Sequence, residues 1–70
     1  MDHIIASKEI QVERKHLLIE FRENERGRFL RITETAHGRR NAIIVPSTGI
    51  DVFANGVAEV LTLANKALPV

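Results

Sequence analysis

The sequence predicts an α+β domain in which a four-stranded antiparallel sheet is followed by one C-terminal helix. Three observations support this prediction. Apolar and polar residues alternate with period two over three successive segments, which is typical of strands with one apolar and one polar face. A stretch with turn chemistry, Asn24 to Gly27, joins two of these segments. Beyond Gly49 the apolar residues change to spacings of three and four, which indicates a helix.

The strand boundaries are placed where the alternation starts and stops. Residues 1–6 show no strong pattern, and we expect them to precede the sheet as a frayed lead-in. A basic turn at Arg14-Lys15 separates the first two strands, and a loop with Gly38 at its tightest point separates the last two. The predicted strands cover approximately residues 7–13, 16–24, 27–35 and 41–46.

The helix is predicted over about residues 49–67, with Pro69 marking its end, so that the folded domain covers residues 7–68. Gly56 lies inside this helix at a cost of roughly 1 kcal/mol relative to Ala. Two interpretations stay open: Asn55-Gly56 kinks the helix, or Gly56 lets another backbone approach closely.

A domain of this size has little core. A 70-residue chain buries only about 60% of the surface that its unfolded form exposes. The fourth strand is continuously apolar over residues 42–45, which favours cover on both faces. The pattern predicts that the helix packs on the apolar face of the sheet, but a single helix does not obviously cover a twisted four-stranded sheet. We therefore expect a homodimer.

The hairpin around Asn24 and Gly27 carries the most informative side chains. Its polar face holds Arg22, Asn24, Phe29 and Arg31, so a phenylalanine is surrounded by arginines on a face that should meet solvent. Single-stranded nucleic acid is bound by aromatic platforms for bases and basic groups for phosphates. Phe29 fits the role of the aromatic platform. Phosphates would be bound by Arg22, Arg31 and Lys15. Base edges could accept or donate hydrogen bonds at Asn24 and Arg26. The same pattern also fits Phe29 packing into a dimer interface beneath a solvated arginine face.

Composition narrows the function classes. The sequence has no cysteine, and its three histidines lack the spacing and accompanying carboxylates of a metal site, so we expect no metal, no cofactor and no enzymatic activity. The apolar runs are too short to span a membrane, and no signal-peptide pattern begins the chain, which favours an intracellular protein, nuclear or cytoplasmic. The net charge of +1 does not by itself indicate nucleic-acid binding.

Residues 22–34, with the sequence RENERGRFLRITE, strongly resemble the PUR repeat of the Pur-alpha family. Proteins of this family bind purine-rich single-stranded DNA and RNA. Residues 39–50, RRNAIIVPSTGI, resemble the fourth strand and helix entry of plant and protist members. The resemblance is good over about Lys8 to Phe53. The chain departs from the family pattern at Leu17-Leu18, where an aromatic pair is common, and at Glu25, which adds negative charge to the hairpin tip.

The resemblance implies a ββββα repeat, two copies of which intertwine into one domain, each helix crossing onto the partner's sheet. A single-repeat chain would then be a homodimer formed through the sheet and the helix residues Phe53, Gly56, Val57, Val60 and Leu61. The resemblance also implies binding of G-rich single strands, local duplex unwinding in some members, and a role in transcription or RNA processing. By position, the implied nucleic-acid-binding residues are Lys15, Arg22, Asn24, Arg26, Phe29, Arg31 and Arg40.

An alternative function belongs to a different class. The fold could serve dimerisation or docking of a partner protein without direct readout of nucleic acid. The low net charge is the feature that favours this alternative.

Overall fold

The computed structural model describes residues 2–67 as a four-stranded sheet followed by a helix. The elements are β1 (His3–Val12), β2 (Lys15–Asn24), β3 (Gly27–Ala36), β4 (Arg39–Pro46) and α1 (Ile50–Ala67), with a 3₁₀ turn at Ser47–Gly49 before the helix. Neighbouring strands are antiparallel and follow one another across the sheet in chain order. The predicted ββββα fold is confirmed. The predicted helix end at Pro69 and the domain limit at residue 68 lie outside the described residues.

The strand register sorts the side chains onto two faces. Directly opposed residues share a face of the sheet, and Phe21 lies opposite Leu30 just as Arg22 lies opposite Phe29. One side, called here the apolar face, carries Ile10, Leu17, Ile19, Phe21, Leu30, Ile32, Ile43 and Val45. The other side, called the polar face, carries Glu20, Arg22, Phe29, Arg31, Thr33, Thr35, Arg40 and Ile44.

The first strand begins earlier than the sequence predicts. β1 starts at His3, so the expectation of a frayed lead-in over residues 1–6 is wrong for residues 3–6. The register of β1 against β2 shifts between Ile4 and Ala6, which leaves Ile5 as an extra residue in the strand. A bulge of this kind interrupts the two-residue alternation while the strand continues. The interruption explains why the pattern hid the strand.

The turn between β3 and β4 is tight, and β4 begins at Arg39, two residues before the predicted start. Gly38 has φ of 74° and the preceding His37 has φ of 52°. Two central residues with positive φ are typical of the turn that matches the twist of a hairpin. The prediction of Gly38 at the tight point is confirmed.

The helix does not pack on the apolar face of its own sheet, and that expectation is wrong. Its principal contacts are with the 3₁₀ turn and the end of β4, because only three residues join the strand to the helix and hold its first turn there. Ile43 and Ile44, on opposite faces of β4, are 52% and 62% exposed. Among the described residues no hydrophobic side chain is fully buried.

The dimensions agree with an open arrangement. The radius of gyration is 14.5 Å, and the smallest extent of the chain is 16 Å. A compact domain of this length would have a radius of gyration of about 11 Å. Across residues 2–67, no helix combines the length and apolar character needed to cross a membrane.

Candidate nucleic-acid interface

The tip of the β2–β3 hairpin has the local structure that its sequence predicts. The Asn24 side-chain oxygen accepts a hydrogen bond from the backbone N–H of Arg26 at 2.8 Å. Gly27 has φ of 135°, a conformation that residues with a Cβ rarely adopt. Because the Asn24 oxygen stabilises the turn, a base edge at this position would meet the Nδ2 donor.

Phe29 lies on the polar face between two neighbouring strands. Its register partner on β2 is Arg22 and its partner on β4 is Pro46. Directly opposed side chains in an antiparallel sheet have Cβ atoms about 4.5–5.5 Å apart. The half-buried Phe29 ring therefore has the Arg22 side chain on one side and the Pro46 ring on the other.

Arg22 is held by two carboxylates. Its Nη1 donates a hydrogen bond to Glu20 Oε2 at 2.7 Å, and its Nε lies 3.4 Å from Asp2 Oδ2. The Asp2 contact is within ion-pair distance but is not aligned as a hydrogen bond, so Nε counts as a buried donor without a hydrogen-bond partner among the described residues. The side chains of Arg22 and Glu20 are only 16% and 7% exposed. Arg22 is thus an oriented group more than a mobile surface charge.

Arg31 and Arg40 line a groove that runs along the polar face. Its walls are formed by His16, Leu18, Glu20, Arg31, Thr33, Thr35 and Arg40. The Nε of Arg31 is buried and has no hydrogen-bond partner within residues 2–67. Arg40 is exposed at the start of β4, opposite Thr35 and at the end of the sheet away from the β2–β3 hairpin tip. This groove extends the basic surface away from the hairpin tip.

Lys15 is the one predicted site residue that the sheet places on the other side. Alternation along β2 puts it on the apolar face with Leu17, and its Nζ lies 3.1 Å from Glu34 Oε2 on that face. The remaining six lie at the hairpin tip or on the polar face, and they extend from the tip to Arg40 at the opposite end of the sheet: Arg22, Asn24, Arg26, Phe29, Arg31 and Arg40.

Sequence reasoning did not include Glu20, His16, Thr33 or Thr35 in the site. Their alternation with apolar residues along β2 and β3 already put them on the polar face, which is the signal that could have found them. Glu20 and Thr33 are the two buried polar residues within the described range. In the same range, no group of three or more histidine, aspartate or glutamate side chains is arranged to hold a metal ion.

Comparison with known proteins identifies the family. The family model described as "PurA ssDNA and RNA-binding protein" matches residues 1–66. The chain belongs to the PurA family. The assignment of a PUR repeat from residues 22–34 is thereby confirmed, and the repeat belongs to a family of single-stranded nucleic-acid-binding proteins.

A curated PurA relative is similar over most of this chain. "Transcription factor Pur-alpha 1" of Arabidopsis thaliana is 47% identical over 49 residues, which is 70% of the present chain. The match spans 17% of the length of that relative. The comparison therefore relates this chain to a part of a transcription factor of the PurA family.

Proposed function

We propose that this PurA repeat binds purine-rich, G-rich single-stranded DNA or RNA through its polar face and hairpin tip. The opposition of Arg22 and Phe29 across β2 and β3 is the observation that supports this most directly. The ring offers a stacking surface to a base, and each stacked base contributes about 1–3 kcal/mol by alanine substitution. Duplex DNA keeps its bases stacked inside, so this surface favours single strands.

The arginines would divide two tasks. Arg26 and Arg40 are exposed at opposite ends of the surface and suit contacts with phosphates. Arg22 and Arg31 are half-buried beside Phe29 and Glu20, and a guanidinium in that position can donate to guanine O6 and N7. Guanine is the base that accepts such a bidentate contact best. We leave Lys15 out of the proposed contact surface because it lies on the apolar face.

The proposal includes a homodimer. The chain exposes 6027 Å², about 1,600 Å² more than the ~4,400 Å² expected of a compact 7.9 kDa monomer. Two chains that each buried this excess would form an interface of about 3,200 Å², within the range of obligate dimers. The apolar face of the sheet and the apolar side of α1 account for this excess exposed area. Each helix would then cover the apolar face of the other copy.

An apolar groove on α1 supports the same pairing. It is lined by Val52, Phe53, Gly56, Val57, Val60 and Leu61. This set includes all five helix residues predicted to form the dimer. Apart from its chain neighbours and the local backbone of α1, a Cβ at Gly56 would meet no atom within 4 Å in the single chain, so the glycine is not required by packing within one copy. Close approach of the partner chain would give it a role.

In the cell, we propose that the protein acts by binding, without catalysis, as a regulator of transcription or RNA processing in the nucleus or cytoplasm. The similarity to a transcription factor supports this role. Holding bases on Phe29 would also favour local unwinding of duplexes, because single strands are removed from the pairing equilibrium.

Filter binding tests the proposal. G-rich and T-rich single strands of equal length are titrated at several salt concentrations. We expect tighter binding of the G-rich strand, with log K falling against log salt by roughly 0.7 per phosphate contacted. Equal, weak and salt-independent binding of both strands would instead support the docking-module alternative. Local pairing of basic residues, such as Arg28 Nε with Glu23 Oε2 at 3.0 Å, is the observation that favours that alternative.

A further inference from the structure

Glu20 occupies an unexpected place for an acidic residue. Its side chain lies on the polar face, yet it is one of the two buried residues in the described part of the chain. A carboxylate at the centre of a surface that attracts phosphates lowers the local positive potential. A carboxylate at this position would weaken phosphate binding unless it also provided a gain in recognition.

The contacts of Glu20 suggest what that gain is. Its Oε2 accepts the hydrogen bond from Arg22 Nη1 at 2.7 Å, and Arg31 is its direct register partner on β3. Arg22 and Arg31 are diagonal neighbours on the same face, at a separation of about 7–8 Å for such positions. Because Glu20 neighbours Arg22 on β2 and lies opposite Arg31 on β3, its negative charge reduces the repulsion between the two cations. Its hydrogen bond also restrains the Arg22 guanidinium.

We propose that Glu20 is a positioning residue for nucleic-acid recognition and that it acts through Arg22. This inference rests on the proposed function. With Nη1 fixed by Glu20, the Arg22 guanidinium is ordered before a ligand arrives, next to its register partner Phe29. A base stacked on Phe29 then meets donors whose orientation is already set, which improves discrimination between base edges.

Orientation and charge predict opposite effects of one substitution. Glu20→Ala removes both a negative charge and the acceptor oxygens from the polar face, and charge alone predicts tighter binding of every strand. If Glu20 positions Arg22, the variant loses preference for purine-rich over pyrimidine-rich strands. We expect a loss of about fivefold, the lower end of what one bidentate arginine–base contact contributes.

Glu25→Ala is the matched control. Glu25 lies in the exposed hairpin turn, and the substitution removes the same charge and the same acceptor group from the tip of the hairpin. Among the described contacts Arg22 pairs with Glu20 and Asp2, and Glu25 takes no part in that cluster. We expect this variant to keep the purine preference and to bind both kinds of strand equally well or more tightly.

The experiment measures the ratio of the dissociation constants for a purine-rich and a pyrimidine-rich single strand of equal length in one buffer. Partial unfolding of a variant lowers both apparent affinities by the same factor, so the ratio reports recognition and not stability. A ratio that falls for Glu20→Ala and stays for Glu25→Ala supports the inference. An unchanged ratio for Glu20→Ala overturns it while leaving the proposed function intact. A wild-type ratio of one overturns the proposed function, and the inference with it.

Discussion

Arg22 and Phe29 lie directly opposite each other on β2 and β3, with both side chains on the polar face. Seven positions separate them in the sequence, and the hairpin turn stabilised by Asn24 brings them side by side. A flat aromatic surface and a guanidinium therefore share one edge of the sheet. Under the proposed function, this pair would provide both a stacking surface and hydrogen-bond donors for one nucleotide.

Substituting Phe29 tests the stacking surface. Phe29→Ala should weaken binding of a G-rich single strand by about 1–3 kcal/mol, because the base loses its aromatic platform. Phe29→Tyr is the control, since it keeps a ring at the same place and should bind within a few-fold of wild type. Fluorescence anisotropy with a labelled oligonucleotide measures both. Equal weakening by Ala and Tyr would contradict a stacking role.

The two faces of the sheet predict different salt dependence for two basic residues. Arg40→Ala removes an exposed cation from the polar face and should make the slope of log K against log salt shallower by about 0.7, provided it contacts one phosphate. Lys15→Ala removes a cation from the apolar face, where it pairs with Glu34, and should leave the slope unchanged. Titrations at four or more salt concentrations give the slopes. A shallower slope for Lys15→Ala but not for Arg40→Ala would place the contact surface on the apolar face and contradict the proposal.

Two glycines predict opposite tolerance of the same substitution. Gly27 has φ of 135°, so Gly27→Ala should destabilise the hairpin by more than about 1 kcal/mol through backbone strain. Gly49 lies outside the positive-φ region, and a Cβ there would meet Val45 Cγ1 at 3.7 Å, an ordinary contact. Gly49→Ala should therefore be nearly neutral. Urea unfolding followed by circular dichroism compares the two, and equal stability of both variants would contradict the strained turn.

A substitution at Gly56 tests the proposed dimer. Apart from its chain neighbours and the local backbone of α1, a Cβ at Gly56 meets no atom within 4 Å in the single chain, so Gly56→Leu should leave the structure of one copy intact. If the partner approaches closely at the α1 groove, the larger side chain should shift the protein toward monomer. Thr62→Leu, on the polar side of the helix, adds a similar side chain and should leave the dimer unchanged. Sedimentation velocity at micromolar concentration decides. A wild-type protein that is monomeric there would contradict the dimer itself.

The hairpin could be predicted from sequence because its determinants are local. Period-two alternation sets which side chains share a face, and the turn chemistry of Asn24 and Gly27 sets the register. Both follow from neighbouring residues. The opposition of Arg22 and Phe29 can therefore be predicted from the sequence.

Other features depend on relations that a linear pattern does not contain. The bulge at Ile5 broke the alternation and hid the first four residues of β1. The turn occupies Glu13-Arg14 and not the predicted Arg14-Lys15, so Lys15 is the first residue of β2, and alternation with Leu17 places it on the apolar face. The burial of Glu20 arises from side chains on two strands. The position of α1 depends on packing between elements that are distant in the sequence, which the helical periodicity does not determine.

The central claim is that the polar face binds single-stranded, G-rich nucleic acid. The most direct test records ¹H–¹⁵N amide chemical shifts of the protein while a single-stranded GGN-repeat oligonucleotide is added. We predict the largest changes on the polar face and hairpin tip, at Arg22, Asn24, Phe29 and Arg31, with little change at Leu17 and Ile19 on the apolar face. Changes confined to the apolar face and α1, or no changes at all, would contradict the claim.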